Sequence, residues 1–215
     1  MQQLKAVLEL IRLGEKLKME LRHSWLSNGR QESVAEHTWR VSLMAMAIES
    51  SLPLKVNSEK LLKMIIIHDL VEAYATDIPA FETMNNSEVK ELKMKNEIAA
   101  IERIRDLVGG ETGQLFYNYW FEFEQKNTYE AKVANALDKL EAQIQHNEAD
   151  IDTWLPIEHE MTYMLGKHTD FDPVLTELKD LIEAEGEQKL KEFGLDTEAL
   201  KSKKLRHDNI KINIH

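Results

Sequence analysis

One apolar run, Met64-Ile65-Ile66-Ile67-His68-Asp69-Leu70-Val71-Glu72-Ala73-Tyr74, carries three ionisable side chains. Such groups are costly inside a core unless they are paired or bound to a metal. At about 100° per residue on a helix, His68 and Glu72 lie one above the other on one face, and Asp69 sits one step round. A cation at the edge of that face could take an imidazole nitrogen from His68 and an oxygen from Asp69, with the Glu72 carboxylate standing free beside it. This is the beginning of a metal-assisted hydrolase, and it needs further ligands from elsewhere in the chain.

Composition limits what those ligands can be. The 215 residues include no cysteine, which removes disulfides and thiolates and leaves His, Asp and Glu. Such N/O ligand sets suit one divalent ion among Mn, Fe, Co, Ni, Zn and Mg without choosing between them. Absent cysteine also suits a reducing compartment, so a cytoplasmic location is expected. The formal net charge of −11 argues against binding duplex nucleic acid, which calls for a basic stripe. A small phosphorylated substrate is compatible, because one or two arginines can hold one phosphate. No stretch reaches the about 18 apolar residues of a membrane span, and the N-terminus mixes Lys and Glu without an apolar signal core. Eight glycines and four prolines, with helical periodicity throughout and no convincing alternating strand pattern, predict an all-α protein. A single domain over 1–215 is expected, with a core at about 4–150, a helical extension at about 151–200 and a polar tail over 201–215, frayed or docked on a partner chain.

The elements that must position the site follow in order. Leu4, Val7, Leu8, Leu10, Ile11 and Leu17 mark a first helix. Periodicity is then lost over residues 19–30, with Asn28-Gly29 as a turn signal. That loop carries Arg22, Trp25 and Arg30; it could wall an anion site, though the residues alone favour a surface loop with solvated arginines. Ser33 and Glu36 have the form of a capping box, and the helix they open bears His37 in its first turn. Ser58 caps the central helix over residues 59 to 75 or 76. Asp77-Ile78-Pro79 closes it, leaving Asp77 just past the helix end, where an acid opposes the dipole although turns favour Asp. Residues 87–108 form a helix with Met94, Ile98, Ile101, Ile104 and Val108 on its apolar side, stopped by Gly109-Gly110. The aromatic stretch 114–124 reads as core packing or a subunit interface. Thr128 caps a helix to about residue 145 whose apolar stripe (Ala131, Ala134, Leu137, Leu140, Ile144) includes Asp138. A buried acid there needs a metal or, as the commoner solution, a salt bridge. A short helix over 156–165 and an amphipathic one opened by Asp172-Pro173 complete the chain. His146, His159, His168, His207 and His215 lack ligand spacing and read as solvated.

His37, the adjacent pair His68-Asp69, and Asp138 come in the order His…His-Asp…Asp, each on a predicted helix. In this the sequence resembles the HD-domain metal-dependent phosphohydrolases. Glu32-Ser33-Val34-Ala35-Glu36-His37 looks like that family's stretch around its first histidine. His68-Asp69-Leu70-Val71-Glu72-Ala73-Tyr74-Ala75-Thr76-Asp77-Ile78-Pro79 looks like the corresponding stretch of its 5′-deoxynucleotidase branch. Trp120-Phe121-Glu122-Phe123-Glu124 and Asp138-Lys139-Leu140-Glu141 look like two further motifs of that branch. The resemblance covers about residues 4–150. It implies a compact helical bundle, often a homodimer, in which His37, His68, Asp69 and Asp138 bind one divalent cation. Glu72 would be the general acid/base, Arg22 would hold a 5′-phosphate and Asp77 would contact the sugar. The sequence departs from the pattern at His23: bacterial members place a tryptophan there, which helps reject the ribose 2′-hydroxyl, so the choice between deoxyribose and ribose stays open.

The resemblance implies a 5′-nucleotidase acting on (deoxy)nucleoside 5′-monophosphates. Two alternatives stand beside it. One is hydrolysis of another phosphorylated nucleotide. Ala73 after Glu72 disfavours the guanosine tetraphosphate branch, and the lack of histidines between Asp69 and Asp138 disfavours two-metal cyclic phosphodiesterases. The other is a non-catalytic helical interaction module, which would have no need of Glu72 or Asp77.

Overall fold

Capping side chains and glycine stops decide where the helices of this chain begin and end. The structure, a computed structural model, describes residues 2–84 and 86–203. Helix α1 (Gln2–Gly14) leads through a short 3₁₀ turn into a hairpin, β1 (Leu21–Trp25) paired antiparallel with β2 (Gln31–Ser33). The expected loop is thus two strands. They are too short and too irregular in register to leave an alternating pattern in the sequence. Gly29, at φ +83°, makes the turn, as a residue without Cβ can. The capping box is present: the Ser33 side chain accepts from the Glu36 N–H and the Glu36 carboxylate accepts from the Ser33 N–H, opening α2 (Val34–Ile48).

The central helix differs from expectation at both ends. Its cap is Asn57, whose side chain accepts from the Lys60 N–H at 3.1 Å, so Ser58 is already helical in α3 (Ser58–His68). The helix does not run on to residue 75. It tightens into a 3₁₀ turn at Asp69–Val71 and resumes as a single turn, α4 (Glu72–Ala75). A short α5 (Ala80–Met84) precedes α6 (Ser87–Val108), capped by Asn86 and stopped by Gly109 at φ +67°. Then come α7 (Gly110–Gln125) and α8 (Tyr129–Glu148), the latter capped by Thr128. The C-terminal part holds α9 (Pro156–Met161), α10 (Gly166–Thr169) and α11 (Pro173–Glu192), capped by Asp172, and residues 197–203 are again helical. The expected tail beyond 203 lies outside the described residues. Among those described, no helix is long and apolar enough to cross a membrane.

Helix α8 runs through the middle of the fold. Ala131, Ala134, Leu137 and Leu140 are all fully buried, and α2, α3, α7 and α11 pack around them. Small alanines on this face let the neighbours approach closely, and each buried leucine adds about 1.5–3 kcal/mol. A second apolar cluster gathers Leu13, Leu17, Ile67, Ile101, Ile104 and Trp120. Trp120 and Phe123 of the aromatic stretch are therefore core residues. Met94 is not: it is 36% exposed, because the first half of α6 runs out beyond the core.

Two residues in this frame carry predictions. A Cβ on Gly113 would stand 2.3 Å from the backbone carbonyl oxygen of Arg105, across the α6–α7 corner. Backbone cannot move aside as a side chain can, so Gly113→Ala is expected to cost about 2 kcal/mol or more, read from urea midpoints. Glu97 on α6 is buried with Lys93 3.6 Å away, and burial pushes its carboxyl from 4.5 up to about 7. The folded chain then binds more protons than the unfolded chain between those values. Its contribution is present below pH 4.5 and is lost as pH rises through about 7. Urea unfolding at about pH 4.5 and about pH 8 is expected to show Glu97→Gln gaining stability relative to wild type as pH rises.

Candidate metal centre and anion site

The capping box fixes the first turn of α2, and His37, the next residue after Glu36, is turned fully into the interior. Helix α8 supplies its partners. His37 Nε2 lies 3.1 Å from Asp138 Oδ1, and His37 Nδ1 meets the Glu141 carboxylate. Helix α3 ends at His68, whose Nδ1 donates to the Ile65 carbonyl at 2.6 Å and whose ring packs on Phe123 with centroids 4.6 Å apart. The backbone of Asp69 leaves the helical region at φ −92°, ψ 1°. Its carboxylate lies 3.0 Å from His68 Nε2 and 3.7 Å from His37 Nε2. The 3₁₀ turn that the sequence did not predict is thus where Asp69 joins both imidazoles; such tightened turns inside helices recur at functional places.

Ligand atoms of His37, His68 and Asp69 fall within 4.8 Å of one another, and Asp138 joins the group through His37. The donor set fits a divalent cation. Asp69 Oδ2 is buried without a hydrogen-bond partner among the described residues, with His37 Nε2 at 3.7 Å and Arg22 Nη1 at 3.8 Å, and a cation between the imidazoles would take it up. Burial works against a charge on His37, but Glu141 and Asp138 outweigh it and hold the imidazole up at about 9. Asp138 stays well below the ordinary carboxylate range against burial, because of Lys139 and the two imidazoles. Those ring protons are what a bound metal displaces. The salt bridge that sequence reasoning preferred for Asp138 also exists, to Lys139 at 2.9 Å, and it occupies the other oxygen. A second trio, Glu32, His37 and Glu141, is equally close. Its carboxylates already face Arg22 at 3.4 Å and Arg40 at 2.7 Å, which makes it a poorer cation site.

The arginine expected in a solvated loop is half right. Arg30 is exposed and paired with Glu36, whereas Arg22 is nearly buried. Strand β1 turns its guanidinium inward, with Nε 3.4 Å from Glu32 and Nη1 3.8 Å from Asp69. Arg22 therefore stands beside the candidate cation ligands, with its guanidinium turned toward Asp69. Glu72, first residue of α4, is buried and its Oε2 has no hydrogen-bond partner among the described residues. Burial first, then the carboxylates of Asp69 and Asp77, push it well above the usual carboxylate range. After α4, Thr76 takes φ +63°, a strained value for a non-glycine residue of a kind found at functional sites. The half-buried Asp77 follows, its N–H donating to the Glu20 carboxylate at 3.0 Å. A cavity of about 500 Å³ opens beside this segment, with Glu72, Tyr74, Thr76 and Arg103 in its wall.

His23, next to Arg22, packs edge-on against Trp25 (4.8 Å) and Phe81 (5.1 Å), and its Nε2 lies 3.4 Å from Glu158 on α9. The histidines read as solvated are not so. His146 packs on Trp154 and lies 3.6 Å from Glu158, and burial pushes it down to about 4. His168 bonds the Asn135 amide at 3.1 Å, and His159 is half-buried beside Trp154. Each is a helix-face residue under a neighbouring element, which local spacing does not reveal. His207 and His215 lie outside the described residues. Sequence reasoning quoted Glu32 and Glu141 only inside motifs, with no role, and passed over Arg40; the signal available was spacing, three residues after His37 for Arg40 and three after Asp138 for Glu141.

Comparison with known proteins agrees with this geometry. A family model described as "HD domain" matches residues 14–179, beyond the about 150 at which the sequence motifs end. The 5′-deoxynucleotidase HDDC2 of Danio rerio is 32% identical over 144 residues, 66% of this chain and 68% of the relative. The protein of the same name from Homo sapiens is 29% identical, over 67% and 68%. A crystal structure titled as a predicted metal-dependent phosphohydrolase from Magnetospirillum magnetotacticum MS-1 superposes with a TM-score of 0.71 at 25% identity, covering 89% of this chain and 97% of that one. A conserved hypothetical protein from Pyrococcus furiosus gives 0.62 at 28% identity, covering 82% and 99%. With a buried His68 and the adjacent half-buried Asp69 between a histidine and an aspartate from flanking helices, and with these relatives, the chain belongs to the HD-domain family, on the branch of the 5′-deoxynucleotidases.

Proposed function

We propose that this protein is a metal-dependent phosphohydrolase that removes phosphate from nucleoside 5′-monophosphates. The observation that carries the reading is the Arg22 guanidinium held 3.8 Å from Asp69, an anion-binding group fixed at the edge of a cation-ligand cluster. The relatives named 5′-deoxynucleotidase support the substrate class.

In this reading His37, His68, Asp69 and Asp138 hold one divalent cation, of the Mn, Co, Ni, Fe, Mg or Zn group. When bound, the cation offsets phosphoryl charge and makes water a stronger nucleophile near neutral pH. The remaining chemistry belongs to side chains. Arg22 binds the phosphate and offsets the charge that spreads over its oxygens during transfer. Water attacks phosphorus and its proton stays with the phosphate product, from which the Glu72 carboxylate is reprotonated; the bond from phosphorus to the 5′-oxygen breaks, and that oxygen needs a proton as it leaves. Glu72 is suited to deliver it: burial and the neighbouring acids push its carboxyl above the usual range, the direction a general acid near neutral pH needs. Asp77 accepts a hydrogen bond from the sugar. His23, between Trp25 and Phe81, lines the nucleoside side, and the choice between deoxyribose and ribose is read by experiment. The single domain over 1–215, a cytoplasmic location and a homodimer belong to the same reading. Exposed apolar side chains on α1 and α2, Leu4, Ile11, Trp39 and Met46, support the dimer, and light scattering tests it.

Three outcomes are expected. Wild-type protein supplied with Mn or Co releases phosphate from nucleoside 5′-monophosphates; a panel of deoxy- and ribonucleotides reads the sugar preference, and no release from any of them would sink the proposal. Glu72→Ala keeps its metal, measured by elemental analysis, and loses about 10²–10⁴-fold in kcat; a non-catalytic module would lose nothing. Chelation lowers the wild-type melting temperature and Mn restores it by mass action, whereas Asp69→Ala responds to neither.

A further inference from the structure

Helices α2 and α8 meet in two polar layers one helical turn apart. In the first, His37 faces Asp138 at 3.1 Å. In the second, Arg40 Nε donates to Glu141 Oε1 at 2.7 Å, while the other Glu141 oxygen meets His37 Nδ1. Arg40 uses its remaining nitrogens on the same face of α8: Nη2 donates to Gln145 Oε1 and Nη1 to Glu148 Oε2, each at 2.6 Å. The Gln145 amide in turn donates to the backbone carbonyl of Trp25 at 2.6 Å, on the strand that carries Arg22. Glu141 and Gln145 are buried.

The partner at Nδ1 decides which way the other nitrogen of an imidazole faces. Glu141, an acceptor, makes Nδ1 the donor and leaves Nε2 turned toward Asp69 and Asp138. A buried carboxylate keeps one orientation only if its oxygens are held, and the planar fork of Arg40 can hold Glu141 and Gln145 together where a single ammonium could not. We propose that Arg40 is a positioning residue: through Glu141 it orients His37 toward the metal cluster, and through Gln145 it ties that cluster to the hairpin that presents Arg22. This rests on the reading that the cluster holds a divalent cation.

The test titrates Mn²⁺ calorimetrically into metal-depleted wild type, Arg40→Met, Arg40→Lys and Gln145→Leu, with circular dichroism as the check on folding and KM and kcat for phosphate release alongside. Arg40→Met is expected to bind Mn about 10- to 100-fold more weakly than wild type. Arg40→Lys, which keeps the charge and supports folding where the methionine variant does not, is expected to stay several-fold weaker because it lacks the fork. Gln145→Leu should bind Mn as wild type does and raise KM several-fold with a smaller change in kcat. Wild-type Mn affinity in either folded Arg40 variant would overturn the inference while leaving the phosphohydrolase reading intact. A wild type that binds neither Mn nor, in the same titration, Co, Ni, Fe, Mg or Zn would overturn both. Weakened binding in the Arg40 variants supports the inference whatever substrate the protein hydrolyses.

Discussion

Everything at the centre of this fold depends on one buried imidazole held between two acids of one helix. His37 has no exposed surface, and its nitrogens face Asp138 and Glu141, three residues apart on α8. Charge buried to this extent is tolerable only with complementary charge at short range. The fold therefore brings α2 against α8 in one register, and the other groups assemble on that contact. Asp69 approaches from the end of α3, Arg22 from the hairpin, and Lys139 from α8 itself. Ala131, Val133, Ala134, Leu137 and Leu140 bury the apolar part of the inward face of α8, while Asn135, Gln143 and Gln145 are buried there too, so apolar packing and polar contacts together fix the arrangement.

The cluster sorts its ionisable groups by environment. Asp69 and Asp138 lie against imidazoles and cations and stay ionised, while Glu72 has burial and two nearby carboxylates against it and is pushed up. Neighbouring carboxyl groups with opposed shifts are what a site needs if some are to bind a cation and one is to handle a proton. The break of α3 at Asp69 serves both ends. It turns Asp69 toward the two imidazoles and starts a fresh helical turn at Glu72.

Much of this was legible in the residues, and the reasons differ from place to place. The capping box at Ser33 and Glu36, the Gly109 stop and the Thr128 cap are local signals that the chain reads directly. Asp138 stood out because an acid interrupts an apolar stripe. The hairpin did not stand out, since strands of five and three residues give no usable alternation, and with it went the inward turn of Arg22. Nor did the break after His68: a run of isoleucines with no glycine or proline continues a helix on every local criterion, and only tertiary partners for Asp69 stop it. Arg40 and Gln145 were missed, and Glu141 was given no role beyond its motif, because polar residues at helical spacing ordinarily form a solvated face; here that face lies under another helix and a strand.

The most direct test of the account is crystallographic. Crystals soaked in Mn²⁺ and measured near the manganese absorption edge locate the ion by its anomalous signal. The account predicts one strong peak within coordination distance of His37 Nε2, His68, Asp69 and Asp138, with Glu141 remaining on His37 Nδ1 and Arg22 beside the ion. A peak between Glu32 and Glu141, or none near the His-Asp pair, would contradict it.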